Sequence, residues 1–443
     1  MQSSLTVLTA TEAASGIAQG AISAEDYTRA CLERIAAVED GIGAFAHLDP
    51  EHALRQARAC DEWRQSGKPI GPLHGVPVAI KDIIDTADYP TECGSAFLTG
   101  RRPSADATVV TRLRAAGAVI IGKTVTTEFA YFHPGKTRNP HNREHTPGGS
   151  SSGSAAAVAA GMVPLAIGTQ TNGSIIRPAS FCGVFAAKPT HGLVPRTGVL
   201  PLSHNLDHVG PYARSIEDLA LILDVIAGYD PEDSDSRPLG ARDFRRIGSE
   251  QFPLPPRFAF VRTPVWDKAE AYTRDAFEAL AASLGDDCVT FDLPDSFADA
   301  WHALRIIMAA DMAHNLGVYA DRGASAVSDV FRKLMEQGRQ STAADYLAAQ
   351  SLARTLRTSL DELFQMQFSA LITPAAPGIA PKGLESTGNP VFNSLWSLTG
   401  LPSLSLPLLE YDGMPIGVQL VGAGNDDARL LRHAAWLVEA VRN

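Results

Sequence analysis

Disulfide chemistry has little to work with in this chain. Its five cysteines (Cys31, Cys60, Cys93, Cys182 and Cys288) are odd in number, far apart and form no C-x-x-C pair. That excludes a disulfide framework and a cysteine zinc site, and fits reduced, mostly buried thiols. Positive charge is also short: 38 Lys and Arg against 49 Asp and Glu leave a formal charge of −11. A nucleic-acid binder needs a basic face, so no nucleic-acid partner is expected. No apolar stretch approaches membrane-spanning length, the Ala-rich run at 154–161 being too short, so no membrane partner is expected either. The first residues, Met1-Gln-Ser-Ser-Leu-Thr-Val-Leu, lack a basic segment followed by an apolar one. No signal peptide is evident, and the expected location is the cytoplasm. Internal repeats and low-complexity tracts are absent as well.

What is present is the profile of a soluble globular protein, 45% apolar and 20% charged over 443 residues. Residues 9–65 read as helical, with Ser23 a good N-cap. A short apolar strand, Val76 to Ile80, ends at Lys81-Asp82. A helix over 105–116 and a strand over Val119–Ile121 follow. Residues 183–211 are rich in Gly and Pro and read as loops, Ser215 caps a helix to Ile226, and residues 230–256 read as a polar excursion containing Pro253-Leu-Pro-Pro256. Strands at Phe258–Val261 and Cys288–Phe291 flank a helix. Residues 297–364 are mostly helical, with Met308 and Met312 fit for a pocket but more commonly core. Strands at Ala370–Thr373, Ser403–Leu408 and Ile416–Val421 precede a closing helix from Asp427. Alternating β and α elements predict an α/β sheet.

Chemistry concentrates between Gly148 and Pro178, where two serine turns are joined by a helix and an apolar run. Three readings compete. Gly117 to Thr124 matches the phosphate-loop pattern, yet Ala118–Ile121 is itself a strand, so the middle of the motif is not free to curl round a phosphate. Gly149-Ser150-Ser151-Ser152-Gly153 matches a nucleophile elbow at Ser151, with Asp207 and His204 or His208 available downstream, but no strongly apolar strand feeds it. The third joins Lys81 to both turns. A serine loses its proton as it attacks, and a lysine accepts that proton only when neutral, a state burial at the end of an apolar strand favours. Ser150 would relay between Lys81 and a nucleophilic Ser174, with the N–H groups of Thr171, Asn172, Gly173 and Ser174 as an oxyanion hole. On residue types alone, a surface lysine and two turn serines are the commoner arrangement.

The ordered motifs change that balance. Val76-Pro-Val-Ala-Ile-Lys81-Asp82, Glu128-Phe-Ala130, Thr137-Arg-Asn-Pro140, the block Gly148 to Gly161, Asn172-Gly-Ser174, Phe181-Cys-Gly183, Lys188-Pro-Thr190 and Pro415 to Gly422 resemble the amidase signature family almost end to end. The resemblance implies one α/β domain over 1–443, a central mixed sheet sandwiched between helices. It implies a Ser–cis-Ser–Lys triad on Ser174, Ser150 and Lys81, with no metal or organic cofactor.

Three departures stand out. Many members carry Asp-x-Gly-Gly-Ser before the nucleophile, whereas this chain has Gln170-Thr-Asn172-Gly-Ser174. Ser152 replaces a glycine in the other turn. Arg177 stands three residues after Ser174, closer to malonamidase-like small-substrate amidases than to transfer-RNA amidotransferase A subunits. Arg177 pairs equally well with a substrate carboxylate or a structural one. Tyr131, Phe132 and His133 are expected near the site, as are Gly149 and Ser151, and the least family-like stretch, 230–345, is expected to shape the pocket. The expected activity is a serine amidohydrolase cleaving an amide, or a related ester or carbamate (urethane), of a small molecule. The alternatives are the A subunit of a glutamine-dependent tRNA amidotransferase, with partner subunits, and a catalytically silent scaffold. A homodimer is the commonest assembly for such a chain.

Overall fold

The computed structural model describes residues 5–442 apart from 239, 241–242, 253–254 and 324–325. Eleven strands form one sheet: β1 (Phe45–Leu48), β2 (Pro77–Lys81), β3 (Val119–Thr124), β4 (Leu165–Gln170), β5 (Phe185–Lys188), β6 (His208–Ala213), β7 (Phe258–Arg262), β8 (Cys288–Asp292), β9 (Ala370–Pro374), β10 (Ser403–Tyr411) and β11 (Met414–Val421). Their order is β1-β3-β2-β4-β6-β5-β10-β11-β9-β7-β8. Two blocks of parallel pairs (β2 with β3 and β4, β7 with β8 and β9) are separated by antiparallel ones, so the sheet is mixed.

Alternation along these strands sorts their side chains into two apolar layers. Val78, Ile80, Ile120, Leu165 and Ile167 join one buried cluster, and Ala79, Val119, Ile121 and Ala166 join the other. A strand that is apolar on both faces has to be covered on both. Helices Ala24–Ile42, Ser152–Ala159 and Ile176–Cys182 contribute to the second cluster, and Ile216–Ile226 and Ala300–Arg322 to the first. The chain is therefore α/β, a central mixed sheet between helical layers, as expected from its sequence.

The differences from that expectation are local. β1 interrupts the helical N-terminal region, because the helix Ala24–Ile42 stops at Gly43 in the left-handed region (φ 66°) and Glu39 accepts the freed N–H groups of Ala44 and Phe45. The stretch 183–211 holds β5 and the start of β6; four-residue runs between Gly and Pro are too short to show a period. A helix, Phe244–Ser249, capped by Asp243, lies in the polar excursion. Pro253 and Leu254 of that excursion lie outside the described residues. Lys123 sits inside β3, fully buried, with its amine on the Ile84 carbonyl (2.8 Å) and beside Asp82 (3.5 Å). It therefore braces the strand end and is not free for phosphate.

The small residues of Ser152–Ala159 let that helix lie against the sheet. A Cβ on Gly153 would stand 2.2 Å from the Ala44 carbonyl and 2.4 Å from the Val125 nitrogen. Gly153→Ala is expected to cost about 1–3 kcal/mol in denaturant unfolding, the usual penalty of overpacking. An unchanged midpoint would mean that the helix docks less tightly than described.

Candidate active site

β2 and β4 run parallel, with Ile80 opposite Ile167, so both carboxyl ends open at one edge of the sheet. That edge is where open α/β sheets bind ligands. Lys81 ends β2 and is fully buried. Its Nζ lies 2.7 Å from Ser150 Oγ and 2.7 Å from Thr169 Oγ1. Among the described residues no carboxylate comes within ion-pair distance of it. Burial pushes the amine well below the ordinary lysine value, and the charges of Asp207 and Cys93 oppose that only in part. A neutral amine beside a serine hydroxyl can receive that hydroxyl's proton across the same contact.

Ser150 follows a cis peptide bond from Gly149 and is buried. Its neighbours in the serine block do different work. Ser151 is fully buried, with its Oγ donating to the Thr169 carbonyl (3.1 Å) and accepting the Thr169 N–H (3.2 Å). It locks the helix start to β4, which corrects the expectation of a substrate contact and leaves no elbow nucleophile. His208, one of the histidines that elbow needed, turns Nδ1 to the Leu206 carbonyl and Nε2 to Lys188. Gly149 does not line the cavity either, and its carbonyl accepts from Arg177 Nη2 (2.7 Å). Ser152 Oγ bonds the Val125 carbonyl.

The second turn is folded by Gln170. Its Oε1 accepts the N–H groups of Ile175 (2.8 Å) and Ile176 (3.0 Å), and its Nε2 reaches Ser397. Gly173 is obligatory by space, since a Cβ there would lie 2.4 Å from Asn393 Oδ1. Thr171 is anchored through its hydroxyl to the buried Asp207 carboxylate (2.6 Å). Among the described residues the N–H groups of Asn172, Gly173 and Ser174 donate to no protein acceptor. Three free amides in one turn suit a developing negative charge.

Ser150, Thr171, Asn172, Gly173, Ser174, Arg177 and Tyr131 line one narrow cavity, with about 320 Å³ between atoms. Phe132, Leu202, Met308 and Met312 supply apolar wall. His133 is exposed and lies away from it. A larger cavity, about 870 Å³, begins behind Thr171 and Leu202 and is lined by Arg196 and Asp233. It shares walls with the narrow cavity but holds neither serine of the site.

Arg177 is buried and has no carboxylate partner among the described residues. Nη2 bonds Gly149 and Thr387 Oγ1 (3.2 Å), while Nε and Nη1 have no partner there. Burial pushes this guanidinium down to about 9. A buried cation with unmet donors is costly unless an anion joins it.

Sequence reasoning missed Thr169 and Asp207 as the anchor of Thr171, and it weighed Met308 and Met312 as core ahead of the pocket that they also line. Thr169 was accessible in principle: it follows the apolar run Leu165–Ile167 as Lys81 follows Val76–Ile80. The methionines, four residues apart on Ala300–Arg322, carry the same signal as core. The tie between that helical region and the site is Glu128, whose carboxylate accepts the N–H and hydroxyl of Ser328. Phe129 and Ala130 take positive φ (47° and 55°), unusual for residues with a Cβ, immediately before Tyr131.

Known proteins resemble this chain along nearly its whole length. The profile of the Amidase family matches residues 26–431. The A subunit of glutamyl-tRNA(Gln) amidotransferase from Chloroflexus aurantiacus is 38% identical over 470 aligned positions, covering 96% of this chain and 95% of that protein. The protein of the same name from Salinispora arenicola is 37% identical, covering 99% and 98%. These relatives run against the expected leaning away from such subunits. Among solved structures, a chain from a vestigial protein complex, described as revealing the evolutionary origins of an s-triazine catabolic enzyme, superposes with a TM-score of 0.90 at 34% identity, covering 97% and 98%. The peptide amidase of Stenotrophomonas maltophilia gives 0.88 at 31%, covering 98% and 97%. Among the described residues no helix is long and apolar enough to cross a membrane.

A buried, unpaired amine destabilises the fold that holds it. Lys81→Met keeps the bulk and removes the amine, so its thermal midpoint is expected to stay level or rise. A loss above about 2 kcal/mol would mean that the bonds to Ser150 and Thr169 outweigh desolvation.

Proposed function

This chain belongs to the amidase family, and we propose that it cleaves a small amide through an acyl-enzyme on Ser174. Ser174 Oγ attacks the amide carbonyl, passing its proton to Ser150 as Ser150 passes its own to Lys81. The N–H groups of the 171–174 turn take the developing oxyanion. As the C–N bond breaks, Lys81 returns a proton through Ser150 to the leaving amine, and water repeats the cycle on the acyl group. The observation that carries this reading is the 2.7 Å contact between a buried, carboxylate-free Lys81 and Ser150, on the cavity that also holds Ser174. The same acylation reaches esters and carbamates. Met308 and Met312, within residues 230–345, are read as the wall that sets substrate choice. Arg177, with two unmet donors, is read as the seat of a substrate carboxylate.

A second reading is favoured by the curated relatives named above. As the A subunit of a glutamine-dependent tRNA amidotransferase, the chain would release ammonia from glutamine for use by partner subunits. Both readings share the acylation of Ser174, and glutamine is itself a small carboxylated amide. They differ in whether the chain works alone. Ammonia release by the purified chain from glutamine and from half-amides of short dicarboxylic acids separates them. Turnover by the chain alone supports the free-standing amidase; turnover only with partner subunits and charged tRNA supports the amidotransferase.

The pH dependence tests the base. Lys81 accepts protons only when neutral, so kcat/KM is expected to rise with pH through its depressed titration. Lys81→Ala should lower the rate by about 10²–10⁴ and flatten that acid limb. A mutant with the wild-type limb would remove Lys81 from the reaction.

A further inference from the structure

Asn172 stands two residues before Ser174 and lines the cavity. Helix Ser394–Leu398 grips it from behind. Ser394 Oγ donates to Asn172 Oδ1 at 2.8 Å, against 3.3 Å to the Pro390 carbonyl, so the shorter contact takes the proton. Ser397 Oγ donates to the Asn172 backbone carbonyl at 2.5 Å. With Oδ1 engaged, the carboxamide presents Nδ2, which donates to no protein group among the described residues. The turn that bears the free N–H groups and Arg177 also line this space, and Arg177 Nε and Nη1 have no partner among the described residues. No Asp or Glu is among the described residues that line it.

We propose that Asn172 is a specificity-determining residue whose Nδ2–H reads a second acceptor oxygen on the acyl group. The site then takes acceptor-rich amides, bearing a carbonyl or carboxylate close to the scissile carbonyl. It disfavours alkyl amides, which leave buried donors unpaired, and amides carrying an ammonium, which find no carboxylate. The proposal rests on the acylation of Ser174 described above. It also sets the site against the α-ammonium of glutamine.

Three probes of similar size test it: malonamide, 3-methylbutanamide (an isopropyl group in place of the second carboxamide) and 3-aminopropanamide. The intact chain is expected to release ammonia from malonamide with the highest kcat/KM. In Asn172→Ala and Asn172→Gly the preference for malonamide over 3-methylbutanamide should shrink about tenfold, the worth of one hydrogen bond to a buried donor. An unchanged ratio, or an equal fall for both amides, would reduce Asn172 to a shaper of the turn and overturn the proposal. A preference for 3-aminopropanamide would overturn it too, by placing Oδ1 toward the substrate. Saturation-transfer NMR of the same amides on Ser174→Ala reads the preference without chemistry. Selective binding without turnover in the active chain would sink the acyl-enzyme reading and keep this one; indifferent binding would sink this one alone.

Discussion

An amine without a carboxylate at the end of an apolar strand is the constraint on which the site depends. Left charged there, Lys81 would cost several kcal/mol in desolvation, more than its two hydroxyl contacts return. Burial favours the neutral amine, and a neutral amine is the form that can take a proton. Everything around it follows from keeping water and counter-charges away. β3 and β4 flank β2, the alanine helix closes over the strand ends, and Asp82 pairs with Lys123 rather than with Lys81. Two lysines at neighbouring strand ends thus have opposite surroundings, one with a carboxylate beside it and one without.

The two serine turns are held by different devices. Ser151 ties the first to β4 through the Thr169 backbone, while Thr169's own hydroxyl meets Lys81, so one residue couples the helix start to the amine. The second turn hangs from Gln170, Asp207 and the segment around Asn393 and Ser397. Gly173 leaves no space for a side chain. Such over-determination is what free N–H groups require, because an unpaired amide persists only where the chain around it cannot relax.

Much of this was legible in the sequence, for definite reasons. Lys81 draws notice because a charge ends an apolar run, and the strands of the parallel core show as continuous apolar stretches. Ser150 and Ser174 are marked by glycine-rich turns whose order matches a family. Ser151 was misread because adjacent serines in a turn are chemically identical until their partners are known. β1 and β5 were missed because four residues carry no readable period. Met308 and Met312 were legible as pocket or core without a choice between them, because a helix face toward a pocket and one toward the core have the same spacing. The tie from Asn172 to Ser394 joins residues 222 apart, which no local pattern reports.

The central claim is that Ser174 is the residue that becomes acylated. Labelling the purified chain with a fluorophosphonate and locating the adduct by mass spectrometry tests it most directly. A single adduct on Ser174, lost in Lys81→Met, is expected. An adduct on Ser151, or none on a folded chain, would contradict it.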